Sequence, residues 1–364
     1  MRIDVELGER GYPVHVVDAG LGGLGPVMAG CLPAGRVFVV TNPVVARLHL
    51  GAALASLTAA GFSPEAVLVP DGERHKTLDT WRRLVDGLLR LRPTRRTPIV
   101  ALGGGVTGDL AGFAAASLLR GLPMVQVPTS LLAMVDSSVG GKTGVNAGGG
   151  KNLVGAFHQP ALVYAALGTL ASLPPAELRC GLGEGLKHGV VADAALLGFM
   201  ESNAAALAVG NPGVLGRVVA DSVRAKAAIV AEDEREAGRR VVLNFGHTVG
   251  HAIEAVLGWG ALRHGECVGL GMLAECSWSA RGHGGDSTLE MRVHTALQAM
   301  GLPVRVSGVR LSRAIDAARV DKKWARGTLR TAIPTRAGFA TLASVPAGEI
   351  PGMLRCLPGV EEDC

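Results

Sequence analysis

The sequence predicts an α/β domain with a mostly parallel sheet over residues 1–174, followed by a mainly α-helical domain over residues 175–364. Three observations predict it. The chain has 364 residues, beyond the usual size of one domain. Before Leu173-Pro174-Pro175, short apolar runs alternate with stretches of helical periodicity, the pattern of strands joined by helical crossovers. After that proline pair, Ala, Leu, Val and Glu recur at helical spacing and the strand signal nearly stops.

Arg2–Leu7 and Val14–Val17 alternate or cluster as short strands. Arg36–Val40 is a buried-strand run that ends in Thr41-Asn42-Pro43, a strand-to-helix turn, and a helical pattern runs on to about Ala60. Ala66–Pro70 reads as the next strand, with a helix from about Leu78 to Leu91. Thr97–Leu102 is an apolar strand, a glycine turn follows, and a helix is expected from about Leu110 to Leu119. Pro123–Pro128 is another strand, and residues 128–160 read as one long Gly-rich loop. Beyond the boundary, helices dominate to about Ser279, then Leu289–Ala299 and Leu311–Ala318, with Leu329–Ile333 as a short hairpin edge.

Hydrophobic residues make up 48% of the chain and charged ones 18%, which suits a large core and excludes disorder. Fifty-two glycines without a collagen period point to tight turns and close backbone approaches. The net charge of +5 is scattered, and aromatics are only 4%, so nucleic-acid binding is not expected and small anionic ligands are. The six cysteines (Cys31, Cys180, Cys267, Cys276, Cys356, Cys364) form no C-x-x-C pair and read as reduced thiols. Met1–Arg10 lacks a signal-peptide core, and no apolar run approaches the ~18 residues of a membrane span, so a cytoplasmic protein is expected.

Three stretches carry chemistry. Gly103, Gly105 and Gly108 fit G-x-G-x-x-G between a strand and a helix, where backbone amides and a helix N-terminus can hold a pyrophosphate, as in Rossmann-like folds. The acidic residue expected ~20 positions on is missing, and a turn packed for steric reasons is the competing reading. Within residues 128–160, Lys142 and Lys151 offer cationic donors for phosphate, and Asn146 and Asn152 neutral ones. Leu243–Glu266 places His247 and His251 four apart on one helical face, with His264 in a following Gly-rich turn and Glu254 two turns from His247. That spacing suits a divalent metal, although core-satisfied histidines share it.

Taken together, the chain resembles the 3-dehydroquinate synthase family of the sugar-phosphate cyclase superfamily, over nearly its whole length. The carriers are Asp71–Glu73 with Lys76, GGGVTGDLAGF from Gly103, LLRG at Leu118–Gly121, and VDSSVGGKTGVN followed by GKNLVGAFHQP. E-x-x-K at Glu184–Lys187, RAKAAIVAEDERE at Arg224–Glu236, LNFGHTVGHAIE, His264–Glu266 and Asp321–Lys323 complete the set.

The resemblance implies a phosphorus-oxygen lyase of the shikimate pathway, in aromatic amino acid biosynthesis. It would convert 3-deoxy-D-arabino-heptulosonate 7-phosphate to 3-dehydroquinate and phosphate, using NAD catalytically with Zn²⁺ or Co²⁺. The steps are oxidation of the C5 hydroxyl, phosphate elimination, re-reduction, ring opening and aldol closure. By resemblance, NAD contacts fall on Asn42, Glu73, Lys76, Gly104, Gly105, Val106, Asp109, Thr129, Ser130, Lys142, Lys151 and Thr169. The metal ligands fall on Glu184, His247 and His264, which moves His251 from ligand to phosphate contact. Substrate contacts fall on Arg120, Lys142, Lys151, Asn152, Lys187, Lys226, Arg240, Asn244, His251, and Lys322 or Lys323. Asp136, Lys187 and Glu236 are the groups for hydroxyl protons, and Arg120 would act in the partner subunit of a homodimer.

The chain departs from the family pattern at Gly183–Gly189, where Gly185 is expected to loosen a helix beside a ligand by roughly 0.5–1 kcal/mol and His188 replaces a frequent tyrosine. It departs again at Asn146–Asn152, where extra glycines are expected to loosen a loop. An aminodehydroquinate synthase, another sugar-phosphate cyclase, a metal-dependent polyol dehydrogenase and a non-catalytic NAD- or metal-binding regulator are the alternatives.

Overall fold

A computed structural model of the chain describes residues 1–148, 150–258, 260–319, 324–325 and 328–363. Lys322 and Lys323 lie outside the described residues. The chain divides into two compact units, Met1–Pro174 and Pro175–Cys364.

The first unit is a Rossmann-like α/β domain on a seven-stranded sheet. Its strands are β1 (Arg2–Val5), β2 (Tyr12–Val17), β3 (Arg36–Thr41), β4 (Ser63–Leu68), β5 (Ile99–Gly103) and β6 (Met124–Pro128). A hairpin of β7 (Lys142–Ala147) and β8 (Gly150–Phe157) intervenes before the last sheet strand, β9 (Leu162–Ala166). The sheet order is β1-β2-β9-β6-β5-β3-β4, and every pairing but β1 with β2 is parallel. Helices α1 (Leu24–Ala29), α2 (Pro43–Val45), α3 (Gly51–Ala59), α4 (Leu78–Arg90) and α5 (Gly105–Ser117) lie between the strands in the chain. Successive residues of β3 enter different cores: Val37 and Val39 pack with Leu57 and Tyr164, Phe38 and Val40 with Leu88 and Leu110. Both faces of the sheet are therefore covered, as parallel strands require.

The chain runs from β3 outward to β4 and then returns to β5 on the other side of β3. This is the topological switch point, the place where open α/β sheets bind ligands beyond the carboxyl ends of their strands. Asn42 follows β3 there, and Gly104 follows β5.

Three sequence expectations need correction. Strand β4 lies at Ser63–Leu68 rather than Ala66–Pro70, because its register is set by β3 from Arg36↔Ser63 to Thr41↔Leu68. Helix α5 begins at Gly105, not near Leu110, so the glycine motif forms its first turn. Residues 142–157 are an antiparallel hairpin and not a loop, preceded by a π-helical turn at Ala133–Ser137.

The second unit is mainly helical: α6 (Pro175–Val191), α7 (Ala194–Ser202), α8 (Ala204–Ala208), α9 (Pro212–Glu232), α10 (His247–Leu257), α11 (His264–Ala280), α12 (Leu289–Ala299), α13 (Leu311–Arg319) and α14 (Ile350–Arg355). Its core gathers Val249, Ile253, Leu270, Trp278, Val309, Leu329 and Met353. The expected short hairpin edge is a longer antiparallel pair, Thr328–Arg336 with Phe339–Pro346. Helix α6 runs unbroken through Gly183, Gly185 and Gly189. Gly185 does not loosen it: a Cβ there would meet Val218 at 3.2 Å and Met200 at 3.4 Å, so the glycine makes room for α9 and α7.

Candidate active site

In the second unit, four glycines set the positions of one buried and two half-buried polar groups. A Cβ on Gly183 of α6 would stand 2.3 Å from the Gly265 carbonyl oxygen, and one on Gly265 of α11 would stand 1.9 Å from the Cys180 carbonyl oxygen. Gly246, at φ +77, and Gly271, whose Cβ would stand 1.9 Å from the Gly246 carbonyl oxygen, do the same for α10 and α11. Backbones can approach this closely only without side chains. Each pair flanks a polar residue: Glu184 follows Gly183, His264 precedes Gly265, and His247 follows Gly246.

The result is a convergence on Glu184, which is fully buried. Its Oε1 lies 3.5 Å from His247 Nε2 and 3.4 Å from His264 Nε2. Two ligands at ~2.1 Å from a tetrahedral Zn²⁺ stand roughly 3.4 Å apart, so these separations fit an ion among the three groups. His247 Nδ1 lies 3.1 Å from the Phe245 carbonyl oxygen, which can only accept, so Nδ1 carries the proton and the Nε2 lone pair faces the carboxylate. Burial drives the His247 pKa well below the ordinary imidazole value, and Glu184 only partly opposes this. A cation between the two acceptors would satisfy both. For His264, burial also disfavours the charge, but Glu184 and Glu254 outweigh it and hold its pKa up to about 9. Glu254 Oε2, 3.6 Å from His264 Nδ1, is placed as a carboxylate that orients a ligating imidazole.

His251 joins this group: nitrogens of His247, His251 and His264 lie within 4.8 Å of one another. The i,i+4 reading of His247 and His251 thus describes a real cluster, with Glu184 brought to it by α6. Lys187, one turn after Glu184 and almost fully buried, forms an ion pair with it. Lys226 of α9 is buried too.

A second cluster of this unit hangs on Asp233, which sequence reading passed over. Its carboxylate accepts the backbone N–H groups of Ala237 at 3.0 Å, Gly238 at 2.7 Å and Arg240 at 3.0 Å. These bonds lower its pKa although burial works against them. They fold residues 233–240 into a tight loop in which Glu236 takes a left-handed backbone (φ 60) and Arg240 is buried, bonded to the Glu234 carbonyl. Asn244 Nδ2 donates to Glu236 Oε1 at 2.9 Å. The signal in the sequence was an aspartate shortly before Ala237-Gly238, a turn composition.

In the first unit eight of the twelve expected cofactor residues follow the carboxyl ends of β3, β5, β6 and β9: Asn42, then Gly104, Gly105, Val106 and Asp109, then Thr129 and Ser130, then Thr169. Gly104 caps α5 with no side-chain bond to its first amides, which suits an anion. The steric reading of the turn also holds, since a Cβ on Gly105 would lie 3.0 Å from Ser137 Oγ and one on Gly108 2.9 Å from Gln126 Oε1. Asn42 caps α2 by accepting from Val45 N at 2.9 Å and donates to Asp71 at 2.9 Å. Thr169 is buried and donates to the Ala166 carbonyl at 2.8 Å.

Lys76, almost fully buried, pairs with Asp109 and donates to Asn152 Oδ1 at 2.5 Å. Asn146, read as a neutral donor, gives one of its two Nδ2 hydrogens to Glu73 Oε1 at 2.9 Å. Lys142 opens β7 and is exposed, Lys151 and Asn152 lie on β8, and Asp136 sits in the π-helical turn. Arg120 is exposed after Leu119, and both have left-handed backbones, φ 67 and φ 49. Strain of this kind clusters at functional sites. Among the described residues no helix is long and apolar enough to cross a membrane.

Comparison with known proteins places these features. Two family models match consecutive stretches: 3-dehydroquinate synthase N-terminal over residues 66–180 and 3-dehydroquinate synthase C-terminal over residues 181–324. Among solved structures, 2-epi-5-epi-valiolone synthase from Streptomyces hygroscopicus subsp. jinggangensis 5008, with NAD⁺ and Zn²⁺ bound, is 28% identical with a TM-score of 0.85, covering 95% of this chain and 96% of that one. A 2-deoxy-scyllo-inosose synthase, complexed with carbaglucose-6-phosphate, NAD⁺ and Co²⁺, is 24% identical with a TM-score of 0.84, covering 98% of this chain and 99% of that one. An iron-containing alcohol dehydrogenase from Thermotoga maritima is 16% identical with a TM-score of 0.65, covering 94% and 97%. The last two similarities speak to the fold alone.

Proposed function

The chain belongs to the 3-dehydroquinate synthase family of sugar-phosphate cyclase enzymes, and from that premise we propose that it is itself a 3-dehydroquinate synthase. It converts 3-deoxy-D-arabino-heptulosonate 7-phosphate to 3-dehydroquinate and phosphate, with NAD and a divalent metal as cofactors. The observation that carries the reading is the donor set itself: a buried carboxylate and two imidazole nitrogens aimed at one point, 3.4 and 3.5 Å apart. An ion at that point would be coordinated by all three groups at once. The related valiolone synthase, solved with NAD⁺ and Zn²⁺, supports the same cofactors here.

Glu184, His247 and His264 would hold the metal, which would supply Lewis acidity for deprotonating a substrate hydroxyl. The amides at the start of α5, with Asn42, Glu73, Lys76, Asp109, Thr129, Ser130 and Thr169, would hold NAD, which would supply reversible hydride acceptance. The other steps rest on the chain's own side chains. Lys187, fixed by Glu184, and Glu236, fixed by Asn244, hold protons near hydroxyl oxygens, and Asp136 orients another hydroxyl. In the first unit Lys142, Lys151 and Asn152 bind the phosphate, and in the second unit His251, Lys226 and Arg240 are substrate contacts. Arg120, on its strained exposed turn, reaches the partner's site in a homodimer. A catalytic base for elimination is not needed if the departing phosphate takes that proton itself.

A sugar-phosphate cyclase acting on a substrate without the carboxylate is the second reading, and the 28% identity to the valiolone synthase favours it. Phosphate release separates the two. Release is expected from the heptulosonate phosphate, and not from glucose 6-phosphate or a seven-carbon ketose phosphate lacking the carboxylate. NAD should be required without net accumulation of NADH. Stoichiometric NADH would point instead to a polyol dehydrogenase. Lys142→Ala should lower kcat/KM about ten- to a hundredfold, the worth of a charge-assisted bond of roughly 1.5–3 kcal/mol, while metal content is unchanged. Wild-type kinetics in that variant would move the phosphate site elsewhere.

A further inference from the structure

We propose that Asn146 is a positioning residue whose side chain clasps the anion-binding strand β8 to the cofactor segment Glu73–Lys76, so that one contact sets both ligand sites of this unit. The assignment of the two ligands rests on the proposed function; the clasp rests on geometry alone.

The β7–β8 ladder is regular from Lys142↔Phe157 to Val145↔Val154, then resumes at Ala147↔Gly150. Three residues of β8 (Lys151, Asn152 and Leu153) therefore stand opposite one residue of β7, Asn146. A bulge of this kind breaks the ladder and re-aims side chains. Here it re-aims the two that the function assigns to the anion, and it leaves Asn152 with a left-handed backbone, φ 54. Asn146 supplies the missing bonds. Its Oδ1 accepts the Asn152 N–H at 2.9 Å, and its Nδ2 donates to Glu73 Oε1 at 2.9 Å. Its own backbone N–H donates to the Lys76 carbonyl at 2.9 Å, as part of a parallel bridge between Thr77 and Asn146. Lys76 closes the ring by donating to Asn152 Oδ1 at 2.5 Å while pairing with Asp109 of α5.

Every other member of this ring is a cofactor or anion residue in the proposed function. Asn146 is assigned to neither ligand and bonds to both sets. The two sites are then energetically linked: NAD, by fixing Glu73 and Lys76, raises the affinity for phosphate, and phosphate raises that for NAD by the same factor.

The test uses the full-length protein, with inorganic phosphate as probe. Phosphate binding and hydrogen exchange over residues 142–157 are measured with and without NAD. In Asn146→Ala, exchange should quicken, phosphate affinity should fall about tenfold, the scale of one hydrogen bond, and NAD should no longer change it. Lys142, Lys151 and Asn152 are intact in that variant. Asn146→Asp alone sets a carboxylate against Glu73 and should fail likewise. Adding Glu73→Gln restores a donor–acceptor pair with roles exchanged, and slow exchange should return; general destabilisation would not be rescued this way. Wild-type exchange and phosphate binding in Asn146→Ala would overturn the clasp. So would a double variant no slower in exchange than Asn146→Asp, which also decides the matter if the alanine variant does not fold. A wild-type protein that binds no NAD would overturn the proposed function while the exchange comparison still judges the clasp.

Discussion

Glu184→Gln should remove most of the bound metal and lower turnover by on the order of a thousandfold, because a Lewis acid contributes several kcal/mol and each ~1.4 kcal/mol is tenfold in rate. It should also destabilise the fold. Glu184 is fully buried and paired with Lys187, itself almost fully buried. Removing one partner of a buried pair costs about 3–5 kcal/mol, since the remaining charge stays in a poorly solvating site. His247→Ala makes the contrast. That side chain is 12% exposed and begins α10, so its loss should empty the metal site with a smaller effect on stability. Metal content after dialysis and urea unfolding of both variants check this. Full metal content in either would remove Glu184 or His247 from the ligand set.

The sheet was legible because its strands are apolar runs set between helical repeats, and burial on both faces leaves that pattern plain in Val37–Val40 and Ile99–Leu102. The β7–β8 hairpin was not. Lys142–Asn146 is Lys-Thr-Gly-Val-Asn, with no alternation, and its pairing depends on close backbone contact, a Cβ on Gly155 falling 2.0 Å from the Thr143 carbonyl oxygen. Glycines there look like loop signals when they are packing signals.

The metal site divides in the same way. His247 and His251 could be read from helical spacing, but Glu184 lies on another helix far earlier in the chain, and only the family resemblance pointed to it. Nothing local in the sequence says that α6 and α11 touch backbone to backbone. Nor does it say that Asn146, which looks like a donor for a ligand, is engaged within the unit.

That backbone contact sets the second large effect, in Gly265→Ala. The new methyl would fall 1.9 Å from the Cys180 carbonyl oxygen and 2.7 Å from its carbon, where ordinary contact begins near 3.4 Å. The neighbour is backbone, not a side chain that can turn aside, so α11 must retreat from α6. Retreat weakens the bond from Gly265 N to Cys180 Sγ, now 3.2 Å, and overpacking of this kind costs about 1–3 kcal/mol or more. The displacement also reaches the metal donors, since His264 precedes Gly265 and Glu184 sits on the helix being pushed. Metal sites tolerate errors of only about 0.2 Å in ligand distance, so affinity should fall roughly ten- to a hundredfold although every ligand is present. Gly198→Ala is the control: it lies in α7 with nothing within 4 Å of the added methyl, and better helix propensity should make it neutral or stabilising by up to about 1 kcal/mol. Thermal unfolding and zinc titration of the two variants decide it. If Gly265→Ala binds zinc as the wild type does, the close packing of α6 on α11 is not what holds Glu184 and His264 in register.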